Sequence, residues 1–479
     1  MNAEHKEILK HSGNYFFAMM ASKALSFISL PVLTYLLSVE DYGIFNVFLS
    51  TTGVAGIILT LNSEVAISRY YYDSKGEVDF KRFVGTSLIL TFLIFIFLSI
   101  ILIILSQQFA DFMKLERLLT ICIIPYSLFG IINSIFQQIY QPLLRSRRIA
   151  VLSCIQAYSA FILSVVFILL LPEKKYYGLV LGAIVAMLFV GTYILLQIFK
   201  YTTFCFEKKY VKYILNYSLP YLPYSLSGII IIQFGNLIIG HQEGFRDAGQ
   251  YSFASNIALL MMVIISLCHS AWNPYYFRYM NEQKYGKLDN DYNLMWRATL
   301  VFGAALSLFA YEIGIVFAQP QFNGTLFFVP IFVGGYLFYQ WAYVYIRNVM
   351  YAKKMIWNAV VVIASGVLNI ILNTLLIRFF HSVGVAISFS ASYLFMLILS
   401  WFINRFVIKQ YAPSLIGFIV PLLLYIPVFV LALYFKKYDE FSCVIVLVKC
   451  VILMLFVLIM FRKEINYSYV YSICNKRNC

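Results

Sequence analysis

Residues 83–105 read FVGTSLILTFLIFIFLSIILIIL, a stretch without a single charged side chain. As an α-helix, which rises about 1.5 Å per residue, this stretch is long enough to cross the roughly 30 Å hydrocarbon core of a bilayer. Lipid cannot satisfy open backbone groups, so such a segment must be helical. Similar stretches recur along the whole chain, in which 62% of the residues are hydrophobic and 12% are charged. The sequence therefore predicts an all-α polytopic membrane protein.

Working outward from this stretch, we predict about fourteen transmembrane helices. They are Asn14–Leu37, Ile44–Tyr70, Phe83–Leu105, Leu118–Tyr140, Ile149–Leu171, Tyr177–Phe199, Tyr213–Gly240, Ala248–Trp272, Trp296–Ala318, Leu326–Met350, Ile356–Phe380, Val383–Asn404, Ser414–Phe435 and Phe441–Phe461. Counted with the N-terminus inside, the inner segments hold 26 Lys and Arg residues and the outer segments hold 8. Basic residues favour the cytoplasmic side, which predicts that both termini are cytoplasmic in an inner-membrane protein. The same bias explains the net charge of +15, so nucleic acid is not expected as a partner.

The connections between the predicted spans are short. The longest outer one is Ser106–Arg117 and the longest inner one is Asn273–Met295, and neither is long enough to fold as a domain. Tyrosines are frequent at the span ends. Tyr275 and Tyr276 are predicted on this basis to anchor the eighth span at the membrane interface.

The chain also contains an internal repeat with a constant offset of 206 positions. The matching pairs are Asp41 and Asp247, Gly43 and Gly249, Arg147–Arg148 and Lys353–Lys354, and Gly178 and Gly384. Six spans per repeat is an even number, so both halves have the same orientation, and a pseudo-two-fold axis along the membrane normal is expected. We therefore predict an N-terminal six-helix bundle over residues 1–205 and a C-terminal six-helix bundle over 206–410. Residues 411–479 form two additional transmembrane helices and a cytoplasmic tail.

Charged residues inside the predicted spans are candidates for function, because a charge in hydrocarbon costs a few kcal/mol. Lys23, in the first span, offers a cation to an anionic substrate, or else snorkels or pairs structurally. Glu64 and Arg69 lie near the cytoplasmic end of the second span, where they are candidates for an inward-facing mouth. For Arg69 we favour an interfacial charge. Glu312 and Lys449 are also embedded, and Lys449, outside the repeat, is expected to have a structural or lipid-facing role.

Two polar stripes occupy equivalent positions on the fourth and tenth spans. The first consists of Asn133, Gln137 and Gln141, and the second, 206 residues later, of Tyr339, Tyr343 and Arg347. Residues four apart share one face of a helix. Amides, hydroxyls and aromatic faces suit contacts with a sugar or a lipid head group. The alternative is interhelical hydrogen bonding, which contributes about 0.6 kcal/mol per contact in membranes.

The sequence has no motif for catalysis or for a bound cofactor. It has no GxxxxGK[ST] phosphate loop, no HExxH metal site and no GxSxG nucleophile elbow. The eight cysteines show no metal-ligand spacing. We therefore expect neither an enzyme nor a resident cofactor or metal, and no ATP site within the chain.

The segment LPVLT at 30–34, together with Leu37 and DYGIF at 41–45, resembles the N-terminal signature of polysaccharide flippases of the O-antigen and capsule type. These flippases belong to the multidrug/oligosaccharidyl-lipid/polysaccharide exporter superfamily. The two predicted halves and their basic loops extend the resemblance to about residue 410. Tyr35 departs from the signature, which commonly has a basic residue there.

The resemblance implies a function. Family members move undecaprenyl-pyrophosphate-linked oligosaccharides to the outer leaflet by alternating access through a central, often cationic cavity. By this resemblance, Lys23 would contact the diphosphate or an acidic sugar, and Arg69 is a weaker candidate for the same role. The implied partners are the lipid-linked oligosaccharide, membrane lipid, and the polymerase and chain-length proteins of the same pathway.

Two other functions compete with a flippase. A drug/cation antiporter of the same superfamily would need a buried carboxylate, for which Glu64 is the main candidate. A polysaccharide polymerase or membrane glycosyltransferase would need a large outer loop or a catalytic domain, and the shortness of Ser106–Arg117 disfavours it.

Overall fold

The computed structural model describes residues 25, 28–435 and 442–462, and over these residues the chain is helical with no β-strand. The first helix, α1, is described over 28–36. The next eight are α2 Val39–Thr60, α3 Ala66–Asp73, α4 Glu77–Ile104, α5 Ser106–Met113, α6 Arg117–Tyr140, α7 Ser146–Leu170, α8 Tyr176–Tyr201 and α9 Lys208–Gln242. The remainder are α10 Phe245–Ala258, α11 Leu260–Asn281, α12 Tyr285–Leu308, α13 Ala310–Phe317, α14 Phe328–Tyr351, α15 Ile356–Ile403, α16 Leu415–Tyr434 and α17 Cys443–Met460. The predicted all-α membrane fold is confirmed in the described part of the chain.

Ten of the described helices are long and apolar enough to cross a membrane, and an eleventh span results if the bent pair of α12 and α13 is counted as one. The predicted number of fourteen is not confirmed by this count. One reason is that the continuous helical segment α15 contains two of the predicted spans. Most of the first predicted span, Asn14–Leu37, lies outside the described residues.

The chain divides into two compact units, Met1–Ser252 and Phe253–Cys479. In the first unit, α9 packs along α2 through polar contacts. Ser50 donates a hydrogen bond of 2.8 Å to Gln233 Oε1, and Asn62 Nδ2 donates one of 2.8 Å to Ser225. These contacts place α9 in the first unit, whereas the division at residues 205 and 206 stays a prediction from the repeat.

Two helical hairpins carry glycine where the second arm meets the first. A Cβ atom on Gly178 of α8 would lie 2.7 Å from the backbone nitrogen of Ile168 of α7. In α15 the chain reverses at His381, where φ is 52°, within the gap predicted between Phe380 and Val383. Gly384 follows this reversal, and its Cβ would lie 2.7 Å from the carbonyl carbon of Leu376. Backbones this close leave no room for a side chain. The same close approach therefore explains why glycine stands at both repeat-related positions, Gly178 and Gly384.

The second predicted span, Ile44–Tyr70, is wrong as a continuous helix. It breaks at Leu61 and Asn62, two consecutive residues with left-handed φ angles of 48° and 57°. A 3₁₀ turn, Ser63–Val65, then leads into α3. The predicted connection Asn273–Met295 is also corrected, because α11 and α12 extend through most of it and leave a turn of three residues.

The two helices that follow the repeat, α16 and α17, pack on α12. Trp296 Nε1 donates a hydrogen bond of 3.3 Å to the carbonyl of Phe418, and Arg297 donates one of 3.0 Å to the carbonyl of Met460. These contacts make α16 and α17 an integral part of the second unit.

Candidate functional site

A buried arginine lies near the C-terminal end of α14. Arg347 is only 2% exposed, and its Nη2 donates a hydrogen bond of 3.0 Å to Nδ1 of His269 on α11. The guanidinium carbon lies 5.1 Å from the ring centre of Tyr343, 5.3 Å from that of Trp272 and 5.6 Å from that of Tyr276. We call these five residues the arginine cage.

The cage contains two hydrogen-bond donors that have no acceptor among the described residues. Arg347 Nη1 and His269 Nε2 are buried and have no hydrogen-bond partner in the part of the chain that the structure describes. Because Nδ1 of His269 accepts from Arg347, the ring proton of a neutral imidazole sits on Nε2, which makes that atom a donor. No carboxylate among the described residues pairs with the guanidinium.

The energetics of the cage suit an anionic ligand. Cation–π contacts contribute about 0.5–2 kcal/mol each and offset only part of the cost of burying a charge. Two free donors and one uncompensated positive charge therefore suit a phosphate or carboxylate ligand, for which arginine provides paired N–H groups.

Neighbouring polar groups fix the walls of the cage. The Tyr276 hydroxyl hydrogen-bonds the side chain of Asn348, which in turn donates 3.0 Å to the carbonyl of Tyr411. Trp272 Nε1 donates 3.2 Å to Asp291. The nearby carboxylate of Asp291 is thus held by the tryptophan and not by Arg347.

The predicted stripe on the tenth span forms a continuous surface on α14. The rings of Tyr339 and Tyr343 lie 6.1 Å apart, and Arg347 follows on the same face. Tyr339 also packs edge-on against Tyr393, at 5.2 Å. The structure therefore brings these three predicted residues together.

The predicted stripe on the fourth span lies on α6 in the other unit. Asn133 and Gln137 are half-buried and Gln141 is exposed. Neither Asn133 nor Gln137 forms a side-chain hydrogen bond with any residue that the structure describes. The role of these amides in ligand contact or in helix packing stays a prediction.

Glu64 lies in the 3₁₀ turn at the break after α2. Its side chain is buried, and its Oε2 has no hydrogen-bond partner among the described residues. The residues before it are held by contacts to other helices, since Asn62 binds Ser225 and the hydroxyls of Ser63 and Thr91 lie 2.7 Å apart. A buried carboxylate with a free oxygen has the chemistry to bind a proton or a cation, and this role of Glu64 stays a prediction.

The other predicted charged residues have separate surroundings. Lys23 lies outside the described residues. Arg69 forms an exposed ion pair of 3.4 Å with Asp73, the arrangement expected of an interfacial charge. Lys449 donates hydrogen bonds of 2.6 and 2.9 Å to the two carboxylate oxygens of Glu312, which is the structural role expected for it.

Sequence reasoning missed the part of the cage that α11 supplies. Tyr276 is fully buried, so its prediction as an interfacial anchor is wrong, whereas Tyr275 is exposed. A signal was present in the spacing, because His269, Trp272 and Tyr276 lie three and four residues apart on one helical face.

The helices described above are those of a multi-pass membrane protein, and its second unit contains the buried arginine cage. The family model described as "Polysaccharide biosynthesis protein" matches residues 8–280, more than half of the chain. The chain therefore belongs to this family, and the predicted relation to polysaccharide biosynthesis is confirmed at the level of that family.

Individual relatives agree with this assignment. "Lsg locus putative protein 1" of Haemophilus influenzae is 27% identical over 290 residues, which cover 58% of this chain and 68% of the relative. Among solved structures, the lipid II flippase MurJ in an inward closed conformation matches with a TM-score of 0.73 and 14% identity, over 94% of this chain and 99% of MurJ. An inward-facing multidrug resistance MATE family transporter of the MOP superfamily matches with a TM-score of 0.61 and 15% identity, over 81% and 94%. At these identities the structural likenesses establish the shared fold alone.

Proposed function

We propose that this protein is a flippase that translocates an undecaprenyl-pyrophosphate-linked oligosaccharide across the cytoplasmic membrane for surface polysaccharide biosynthesis. The observation that carries the proposal is the arginine cage, a buried cation with two unpartnered donors and no carboxylate among the described residues. A diphosphate is the anionic group that every such substrate presents.

Physical chemistry supports the same substrate class. The diphosphate and sugars cannot cross hydrocarbon unaided, while the polyprenyl tail can remain in lipid. A path with cationic and polar walls shields the head group, and aromatic faces and amides suit sugars. Within the second unit, the aromatic rings of Tyr339 and Tyr343 supply such groups. The membrane potential or a coupled ion would drive the movement.

A drug/cation antiporter is the second candidate, and Glu64 is the observation that favours it. Its buried carboxylate has an unpartnered oxygen, as a site for a proton or cation requires. The likeness to a multidrug transporter is compatible with this alternative. The buried positive charge of Arg347 opposes it, because an uncompensated cation repels a cationic substrate.

The test is to delete the gene and to quantify lipid-linked oligosaccharides in isolated cytoplasmic membranes, with rescue by the wild type and by Lys23→Ala. We expect a complete repeat unit to accumulate on its lipid, shielded from reagents at the outer face. Wild type should restore its normal amount, and Lys23→Ala should fail to do so at equal expression.

Arg69→Ala is the matched control, since it removes a basic residue that is exposed and paired with Asp73. If the deletion leaves the intermediates unchanged and makes the cells sensitive to cationic drugs, the flippase proposal is wrong and the antiporter replaces it.

A further inference from the structure

A cavity of about 780 Å³ opens on the side of the first unit. It lies among α6, α7 and α8, and its walls are mainly apolar. Val151 and Ile155 of α7 line one side, and Phe189 and Tyr193 of α8 line another. Phe189 is 70% exposed and Tyr193 is 51% exposed, so the cavity is a groove open to the surroundings of the helices. In a membrane-spanning segment those surroundings are lipid.

The groove has the depth of one leaflet. Its lining on α7 runs from Arg147 to Ile155, which is about 12 Å at 1.5 Å per residue. Its lining on α8 runs from Phe189 to Gln197, over the same length. One leaflet contributes about half of the roughly 30 Å hydrocarbon core. The groove thus extends from the predicted cytoplasmic interface nearly to the bilayer centre and ends there.

Two arginines stand at the predicted cytoplasmic end of the groove. Arg147 and Arg148 are exposed, and neither pairs with a carboxylate in the part of the chain that the structure describes. Arg145, two residues before Arg147, instead lies over the ring of Tyr140 at 5.8 Å. No acidic residue is among the described lining residues. The apolar groove, about as deep as one leaflet, therefore has two unneutralised positive charges at its predicted cytoplasmic end.

We propose that this groove binds one molecule of an anionic glycerophospholipid from the cytoplasmic leaflet. The phosphate is held by Arg147 and Arg148, and one acyl chain lies along Val151, Ile155 and Phe189. Charge complementarity identifies the head group, because basic side chains at this interface attract anionic lipid. The depth identifies the tail, since a groove that ends at the bilayer centre fits an acyl chain and not a longer polyprenyl chain.

The experiment is native mass spectrometry of the purified full-length protein in mixed micelles. Phosphatidylglycerol is the anionic probe and phosphatidylcholine of the same acyl chains is the neutral one. Wild type is expected to retain phosphatidylglycerol in preference to phosphatidylcholine. Arg147→Gln with Arg148→Gln should reduce that preference by about fivefold for each arginine removed.

The repeat supplies a matched charge control. Lys353→Gln with Lys354→Gln removes the equivalent exposed basic pair, with the same change in net charge. This variant should keep the wild-type preference. An equal loss in both double variants would mean diffuse surface attraction and would overturn the proposal, as would full retention of phosphatidylglycerol by the arginine variant.

A second variant pair tests the tail and does not alter charge. Val151→Trp fills the groove, whereas Ile162→Trp places the same bulk on an exposed position of α7 outside it. Val151→Trp should lower phosphatidylglycerol retention and Ile162→Trp should not. The wild type could instead retain an added polyprenyl phosphate in preference to phosphatidylglycerol, and the arginine variant could lose that preference. This result would assign the groove to the carrier lipid and overturn our choice of ligand.

Discussion

Gly43 of α2 and Gly249 of α10 lie against each other, although 206 residues separate them in the chain. A Cβ atom on Gly43 would lie 2.8 Å from the nitrogen of Gly249, and a Cβ on Gly249 would lie 3.1 Å from the nitrogen of Gly43. The two helices therefore approach each other backbone to backbone at these glycines, and the repeat itself stays a prediction.

Replacing either glycine should force α2 and α10 apart. We expect Gly43→Ala and Gly249→Ala each to destabilise the protein by about 1–3 kcal/mol, because backbone atoms of the facing helix cannot move aside as a flexible side chain can. The measurement is thermal unfolding in detergent. Gly56→Ala in the same helix is the control, since a Cβ there meets nothing within 4 Å. Equal melting of Gly43→Ala and Gly56→Ala would contradict the close contact.

Arg347→Met should separate stability from transport. The variant removes an uncompensated buried charge, so its melting temperature should be no lower than that of the wild type. Its rate of substrate translocation should fall about tenfold or more, because a charge-assisted hydrogen bond to the substrate is lost. Rescue of lipid-linked oligosaccharide turnover in a deletion strain measures the rate.

The conservative variant at the same position refines this test. Arg347→Lys keeps the charge but loses the planar fork that reaches both His269 and a ligand, so intermediate activity is expected. Arg69→Met, at an exposed ion pair, should behave as wild type. Full rescue by Arg347→Met would show that the arginine cage takes no part in transport.

Glu64→Gln distinguishes the two candidate functions. The substitution keeps the shape of the side chain and removes its charge. If the protein is a flippase, neither gene deletion nor Glu64→Gln should change the susceptibility of cells to cationic drugs, measured as growth inhibition. Glu40→Gln, which removes an exposed carboxyl at the start of α2, is the control. The antiporter would be favoured if the deletion strain is sensitive to cationic drugs and the wild-type gene restores resistance while Glu64→Gln does not.

The fold could be predicted where a stretch of sequence determines its own structure, and not where contacts with other helices determine it. Long apolar stretches such as residues 83–105 predict membrane helices directly, because burial in lipid leaves no other option for the backbone. The reversal at His381 falls in the gap predicted between two spans. The break after α2 was not predicted, because neither glycine nor proline stands at or beside Leu61 and Asn62. Both residues are left-handed, and the turn is held to other helices by Asn62, which binds Ser225, and by Ser63, which binds Thr91.

The candidate site, too, could be predicted only where its residues lie on one helix. The stripe of Tyr339, Tyr343 and Arg347 was predictable because residues four apart share a helical face. The contribution of His269 and Trp272 was not, because the approach of α11 to α14 is a tertiary contact between residues about 75 positions apart. A spacing pattern describes one helix and carries no information on which face of another helix it meets.

The buried pair of Lys449 and Glu312 gives a stability prediction. Their side chains are 3% and 16% exposed, so removal of one partner leaves a buried charge uncompensated. We expect Lys449→Met alone or Glu312→Gln alone to destabilise the second unit by about 3–5 kcal/mol, and the double variant to recover much of the loss. Lys81→Met, which breaks the exposed pair with Glu77, should cost less than about 1 kcal/mol. Additive losses in the double variant, measured by thermal unfolding, would contradict direct pairing.

A final prediction concerns pH. Glu116, just before α6, accepts hydrogen bonds of 2.7 Å from Lys174, 2.7 Å from Tyr177 and 2.9 Å from Tyr176, which join two connections on the predicted outer side. The hydrogen bond from Lys174, followed by that from Tyr177, lowers the pKa of the Glu116 carboxyl below its ordinary value of 4.5. A carboxyl whose pKa is lower in the folded state stabilises that state above the unfolded value, and the contribution disappears as pH falls through the folded value.

Glu116→Gln should therefore lower the melting temperature at neutral pH, and the difference from the wild type should vanish in acid, below the lowered folded value. The pair with Lys174 is about half exposed, so the effect at neutral pH should not exceed about 1 kcal/mol. Glu173→Gln, at an exposed glutamate beside the same lysine in sequence, should show no such pH dependence. A difference between Glu116→Gln and the wild type that stays constant across the acidic range would mean that the carboxyl charge has no part in joining the two connections.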